Sequence, residues 1–148
     1  MYRDTVTLFN LHDGMWRASV LRGVDLNADR AALIAKYGAD CKDRARLHIR
    51  FQLAEGGAAV VTSGEESYTV KAPREYVGEE GTITFRPAYT GEVLDFFLTG
   101  EWDGEAVIED ADYESGFYDH LNGTMDGIYT ITEAARYSVI PHFEIIGR

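Results

Sequence analysis

Arg46-Leu47-His48-Ile49-Arg50-Phe51-Gln52-Leu53 alternates at every position, with Leu47, Ile49, Phe51 and Leu53 on one side and Arg46, His48, Arg50 and Gln52 on the other. Period two is the signature of a half-buried β-strand, because successive side chains point to opposite faces of a sheet. A slip of one residue would bury both arginines, so the register is strongly specified. The strand presents Arg46, His48 and Arg50 to the outside.

The same period extends in both directions. Residues 5–9 place Val6 and Leu8 opposite Thr5, Thr7 and Phe9, and residues 16–24 follow after His12-Asp13-Gly14, which predicts a hairpin. Trp16, Ala18, Val20, Arg22 and Val24 share one parity, and the face bearing Trp16, Val20 and Val24 is expected inward. Asn27 can cap a short helix over residues 28–37, where Ala31 to Ala35 favour helix and Gly38 ends it. Toward the C-terminus, residues 58–62, 67–71, 82–86, 93–99, 128–132, 137–140 and 142–146 read as extended, with Pro73 and Pro87 as breaks. A second short helix fits residues 117–121 between Gly116 and Gly123. Residues 101–106 read as an edge strand or as a turn around Asp103-Gly104. The expected fold is mainly β: one small antiparallel β-barrel or β-sandwich over residues 1–148 with one or two short helices. The barrel is preferred because closure removes exposed edges.

Composition bounds the chemistry. At 148 residues and 45% hydrophobic, the chain can bury one sizeable core. Its single cysteine, Cys41, excludes an intramolecular disulfide and any four-cysteine zinc site. Lys42 and Arg44 lie near Cys41, but no base is placed beside it, so it reads as a plain semi-buried thiol. No apolar run is long enough to cross a membrane as a helix, and residues 5–10 alternate rather than forming a signal-peptide core. A soluble protein, made inside the cell, is expected.

The charge is uneven. Residues 1–50 carry nine basic and six acidic groups, +3, whereas residues 51–148 carry five basic and nineteen acidic groups, −14. From Glu92 to Asp126 there are eleven carboxylates and no lysine or arginine, which repels a phosphate backbone and argues against nucleic-acid recognition there. An acidic rim serves solubility; a basic side and an acidic side also permit subunits to meet head to tail.

Catalytic signatures are absent from the sequence. His12, His48, His120 and His142 are dispersed without HExxH spacing. Asp119-His120 and His142 with Glu144 are the nearest approaches to an acid/base pair, although adjacent residues do not point at each other. The carboxylates Glu101, Asp103, Glu105, Glu109, Asp110, Asp112 and Glu114 offer oxygen donors without an EF-hand pattern. The reading is no catalytic, cofactor or metal site, with a small hydrolase or carbohydrate-active enzyme as the minor alternative.

Several patches carry a family likeness: Tyr2-Arg3-Asp4-Thr5-Val6-Thr7-Leu8-Phe9-Asn10, residues 16–21 with Gly23-Val24, Pro73-Arg74-Glu75-Tyr76, residues 126–132, and the ending Pro141-His142-Phe143-Glu144-Ile145-Ile146-Gly147-Arg148. In these the chain resembles a family of small phage and prophage proteins found among virion-morphogenesis genes of phages of Gram-positive bacteria. It departs at Glu92, where the family pattern has aspartate. The resemblance implies a virion structural protein: a head-tail connector or head-completion subunit, or alternatively a tail-associated or minor capsid component. Its expected partners are other copies in a ring and portal, adaptor or tail proteins, and its setting is the host cytoplasm during assembly and then the virion. In such a ring, Arg46, His48 and Arg50 are expected to meet Glu101, Asp103 and Glu105 of a neighbour, with Trp102 adding apolar contact.

Overall fold

The computed structural model describes residues 2–29 and 44–148. Their elements, in chain order, are β1 (Asp4–His12), β2 (Met15–Asp29), β3 (Arg44–Arg50), β4 (Gln52–Leu53), β5 (Ala59–Ser63), β6 (Glu66–Val70), β7 (Thr82–Ile83), β8 (Asp95–Thr99), β9 (Val107–Glu109), a 3-10 turn at Asp110–Asp112, α1 (Phe117–Thr124), β10 (Ile128–Tyr137) and β11 (His142–Gly147). Six strands close an antiparallel barrel in the order β1-β8-β10-β11-β3-β2, with β2 returning to β1 and β9 added outside β2. Of the two expected architectures, the barrel is the one formed.

Two strands make the corners. β2 pairs with β1 as far as Thr5↔Arg22 and Asp4↔Val24, leaving Gly23 as a bulge, and then pairs with β3 from Asp25↔His48 to Asp29↔Arg44. Gly23 has φ +73, a left-handed conformation that costs a side-chain-bearing residue and suits glycine. The extra residue also switches parity, so Leu21 and Val24 both face the barrel interior. Trp16 and Val24, expected on one face, therefore belong to different cores. β10 turns the opposite corner: Ile128 to Thr130 pair with β8, Ile131 to Tyr137 with β11, and Thr132 is the bulge.

The helix expected at 28–37 is corrected at its start. Ala28 and Asp29 continue β2, held opposite Ala45 and Arg44. Residues 30–37, Cys41 and Lys42 lie outside the described residues. The β1–β2 turn is Asp13-Gly14, with φ +50 and +73, a mirror-image turn that matches strand twist.

Apolar side chains fill two layers. Val6, Leu8, Leu47, Ile49, Phe97 and Ile145 form the barrel interior, where the Phe97 and Tyr129 rings stack at 5.3 Å. The opposite parity of β1 and β8 supplies Phe9, Phe96 and Leu98, which α1 covers with Phe117 and Leu121. One carboxylate ties this layer together: Asp110 Oδ1 accepts from Trp16 Nε1 at 2.7 Å and from the Phe117 amide at 2.9 Å. That second bond satisfies an amide in the first turn of α1, where negative charge is favoured. α1 passes through Gly123 to Thr124, one turn longer than expected.

A second sheet, β4-β5-β6-β7, packs Ala59, Val61 and Ile83 into the interior cluster. Ser63 fastens it to β2, its Oγ donating to the Val20 carbonyl at 2.7 Å and accepting from the Arg22 amide at 2.9 Å. The strand expected at 82–86 ends at Ile83, because the Arg86 amide donates to Asp95 Oδ2 at 2.6 Å instead of to a ladder. Asp95 is wholly buried and also receives Arg86 Nε at 2.9 Å, an Arg86 terminal nitrogen at 2.6 Å and Asn10 Nδ2 at 2.7 Å. Burial pushes its carboxyl above the ordinary value, against the opposing pull of Arg86 and Asn10.

Candidate functional site

The outer face of the β2–β3–β11 sheet carries the basic row. Alternation on β3 buries Ala45, Leu47 and Ile49 and leaves Arg46 and Arg50 exposed with His48 half-buried between them. The antiparallel register sets Asp25, His48 and Glu144 in one cross-strand row and Arg50 opposite His142. His48 Nδ1 lies 3.8 Å from Asp25 Oδ2, and its Nε2 lies 3.7 Å from Glu144 Oε2. Arg46 Nε approaches the other carboxylate oxygen of Glu144 at 3.4 Å. The guanidinium of Arg50 sits 4.3 Å from the centre of the Tyr2 ring. Each member of the row therefore has a partner within its own chain, which weakens the pull on an outside carboxylate without removing it.

Two of the dispersed histidines meet here. His142 lies two residues before Glu144 on β11, so both project from one face, and its ring centre is 5.6 Å from that of His48. One ligand atom from each of His48, His142 and Glu144 falls within 4.8 Å of the others. His142 Nδ1 contacts the Ile140 carbonyl at 2.6 Å, and the ring stacks on Tyr137 at 4.9 Å.

The acidic group expected to face this row is arranged differently from a strand edge. Residues 101–106 are irregular, so Glu101, Asp103 and Glu105 do not share a regular face. Glu101 hydrogen-bonds Arg22 on β2. Trp102 is half-buried in the α1 layer, edge-on to Phe9 at 5.6 Å and Phe117 at 5.7 Å, and its Nε1 donates to the Glu105 carbonyl at 3.0 Å. Asp103 and Glu105 are exposed. His120 is exposed on α1 against the Tyr113 ring at 4.8 Å, and among the described residues no ion pair joins it to Asp119 or another carboxylate. His12 pairs weakly with exposed Asp13 at 3.5 Å.

The β10–β11 hairpin is a feature that sequence reasoning did not single out. β8 pairs with β10 only as far as Thr130, whereas β11 follows β10 to Tyr137↔His142. Among the described residues, Glu133 to Tyr137 thus have a ladder partner on one side only, and residues 132–141 are all exposed. The turn expected as strand at 137–140 is the hairpin tip, where Val139 is 98% and Ile140 70% exposed. Two adjacent apolar side chains between Ser138 and Pro141 were visible in the sequence, but their exposure follows from strand lengths that alternation alone does not give.

No family model matches the chain, and no significant match was found among curated proteins or solved structures.

Proposed function

We propose that the chain is a structural subunit of a phage or prophage virion, a head-tail connector or head-completion protein that acts by protein–protein assembly in a ring and on portal, adaptor or tail proteins. The observation that carries the assembly reading is the β10–β11 ribbon: a strand edge from Glu133 to Tyr137 that is open among the described residues and ends in exposed Val139 and Ile140. An open edge offers backbone donors and acceptors to a partner strand, and a solvent-facing apolar tip gains from being covered. The likeness of the opening and closing patches to the phage family supports the setting, and the +3 and −14 segments support oriented docking.

The test is mass photometry of the wild type and of a Val139→Asp, Ile140→Asp double variant. The wild type is expected to form discrete oligomers or to copurify with phage particles, and the variant to remain at 16.5 kDa and lose copurification. A wild type that stays monomeric and is absent from particles refutes the proposal. The tail-associated or minor capsid alternative is separated by cross-linking in particles: contacts confined to tail-tube or capsid protein would favour it over a connector.

A further inference from the structure

We propose that His48, His142 and Glu144 form a binding site for one zinc-class divalent cation on the outer face of the β3–β11 pair, independent of the assembly role. The three ligand atoms already lie within 4.8 Å of one another, and His48 Nε2 is 3.7 Å from Glu144 Oε2. Tetrahedral zinc with bonds of about 2.0–2.2 Å holds its ligand atoms roughly 3.4 Å apart, so side-chain adjustments of about 1 Å complete the site. The backbone positions are fixed by the cross-strand register and need not move.

Ring orientation is the stronger argument. The Ile140 carbonyl accepts from His142 Nδ1 at 2.6 Å, which assigns the proton to Nδ1 and leaves Nε2 with its lone pair. Asp25 stands 3.8 Å from His48 Nδ1, on the side of the ring away from Glu144. Neither contact is short enough to be a hydrogen bond, but once Nε2 turns to a metal the Nδ1–H faces the Asp25 carboxylate. A carboxylate or carbonyl behind each imidazole is the arrangement that orients histidine toward a metal and raises its basicity. Stacking on Tyr137 limits the His142 ring further.

The donor set selects the ion. Two imidazoles and a carboxylate suit zinc, cobalt or nickel, whereas calcium and magnesium require mostly oxygen ligands. Three protein ligands leave a fourth position for water. Asp25 and Glu144 supply negative charge; Arg46, 3.4 Å from Glu144 Oε1, opposes a cation while leaving Oε2 toward His48. Arg50 is turned to Tyr2.

The test uses full-length protein carrying no polyhistidine tag and stripped with chelator, titrated with zinc against a chromophoric competitor and with cobalt by visible absorption. One equivalent is expected to bind, with tetrahedral cobalt bands. His48→Ala, His142→Ala and Glu144→Gln should each weaken zinc at least tenfold, Asp25→Asn about tenfold, and Arg46→Met should tighten it. Far-ultraviolet circular dichroism verifies that the variants remain folded. Zinc affinity that is equal in the wild type and in the His48→Ala, His142→Ala double variant, or absent from both, overturns the site; so does equal competition by magnesium.

Discussion

Replacing Arg86 with methionine removes the cation while keeping most of the side-chain volume. Asp95 is wholly buried and the Arg86 side chain only 13% exposed, so neither charge has much water to fall back on. Arg86→Met deletes the bonds at 2.9 and 2.6 Å and leaves the carboxylate with Asn10 Nδ2 and one backbone amide. Breaking a buried pair from one side costs about 3–5 kcal/mol. At roughly 2–4 °C per kcal/mol for a chain of this size, the melting temperature should fall by about 6–20 °C. The pH dependence follows from burial, which already raises the Asp95 carboxyl; losing Arg86 raises it further. An acid whose folded value is raised holds its proton more tightly in the folded state, so stability is lost as pH rises above the ordinary carboxylate value. The variant's deficit relative to wild type should therefore shrink on acidification toward the ordinary value, by at most about 1.4 kcal/mol per pH unit. Urea denaturation followed by circular dichroism at several pH values measures both effects, and an Arg86→Met, Asp95→Leu double variant should recover part of the loss. A single-variant cost below about 1 kcal/mol, outside the 3–5 kcal/mol range for a broken buried pair, or a deficit that grows on acidification, refutes the reasoning.

Three further outcomes are expected. Gly147→Ala would put a Cβ 2.9 Å from the Phe97 ring and 3.0 Å from Tyr129 Cβ, an overpacking that should cost about 1–3 kcal/mol by chemical denaturation; an unchanged midpoint would show that the stacked rings yield freely. Tyr68 is pushed up to about 12 by burial and by its hydrogen bond to Glu66, so phenolate absorbance should show a late step that Tyr68→Phe removes, and stability should be lost as pH climbs from 10 through 12. A Tyr68 step near 10 would contradict that environment. Reversing Arg46 and Arg50 to glutamate should weaken assembly more at low salt than at high salt, with partial rescue by reversing Glu101 and Glu105; assembly unchanged by the first pair removes the basic row from the interface.

Alternation made the barrel walls legible. The parity of β1 and β3 gives the interior directly, Val6 and Leu8 on one and Leu47 and Ile49 on the other, whereas at residues 101–106 alternating charge left an edge strand and a turn both open, and the stretch is irregular. Gly23 was less readable, because a glycine inside an alternating run looks like a missing side chain until pairing shows it as a bulge that flips every residue after it. Thr84 to Arg86 have strand composition, but a buried carboxylate from a later strand captures the Arg86 amide. The cation cluster was hidden for a related reason: His48 and Glu144 become neighbours only once β3 and β11 are paired. Local pattern specifies which face a residue occupies, and only topology specifies who stands opposite.

The barrel's closing seam has a consequence for the order of folding. Asn10 and Asp95, bonded across β1 and β8, are 85 residues apart in the chain. The β1–β2 hairpin can form in about 1–10 μs once its turn exists. At roughly 5–20 residues per second of synthesis, however, its β8 partner emerges about 4–17 s later. Throughout that interval the hairpin shows Val6 and Leu8 without Phe97 to cover them, and the outer edge of β1 is free to pair elsewhere. High contact order thus makes the nascent chain most vulnerable to wrong strand partners before β8 is made, so sequence changes that leave the finished barrel intact can still lower its yield through the lifetime of that unsealed edge.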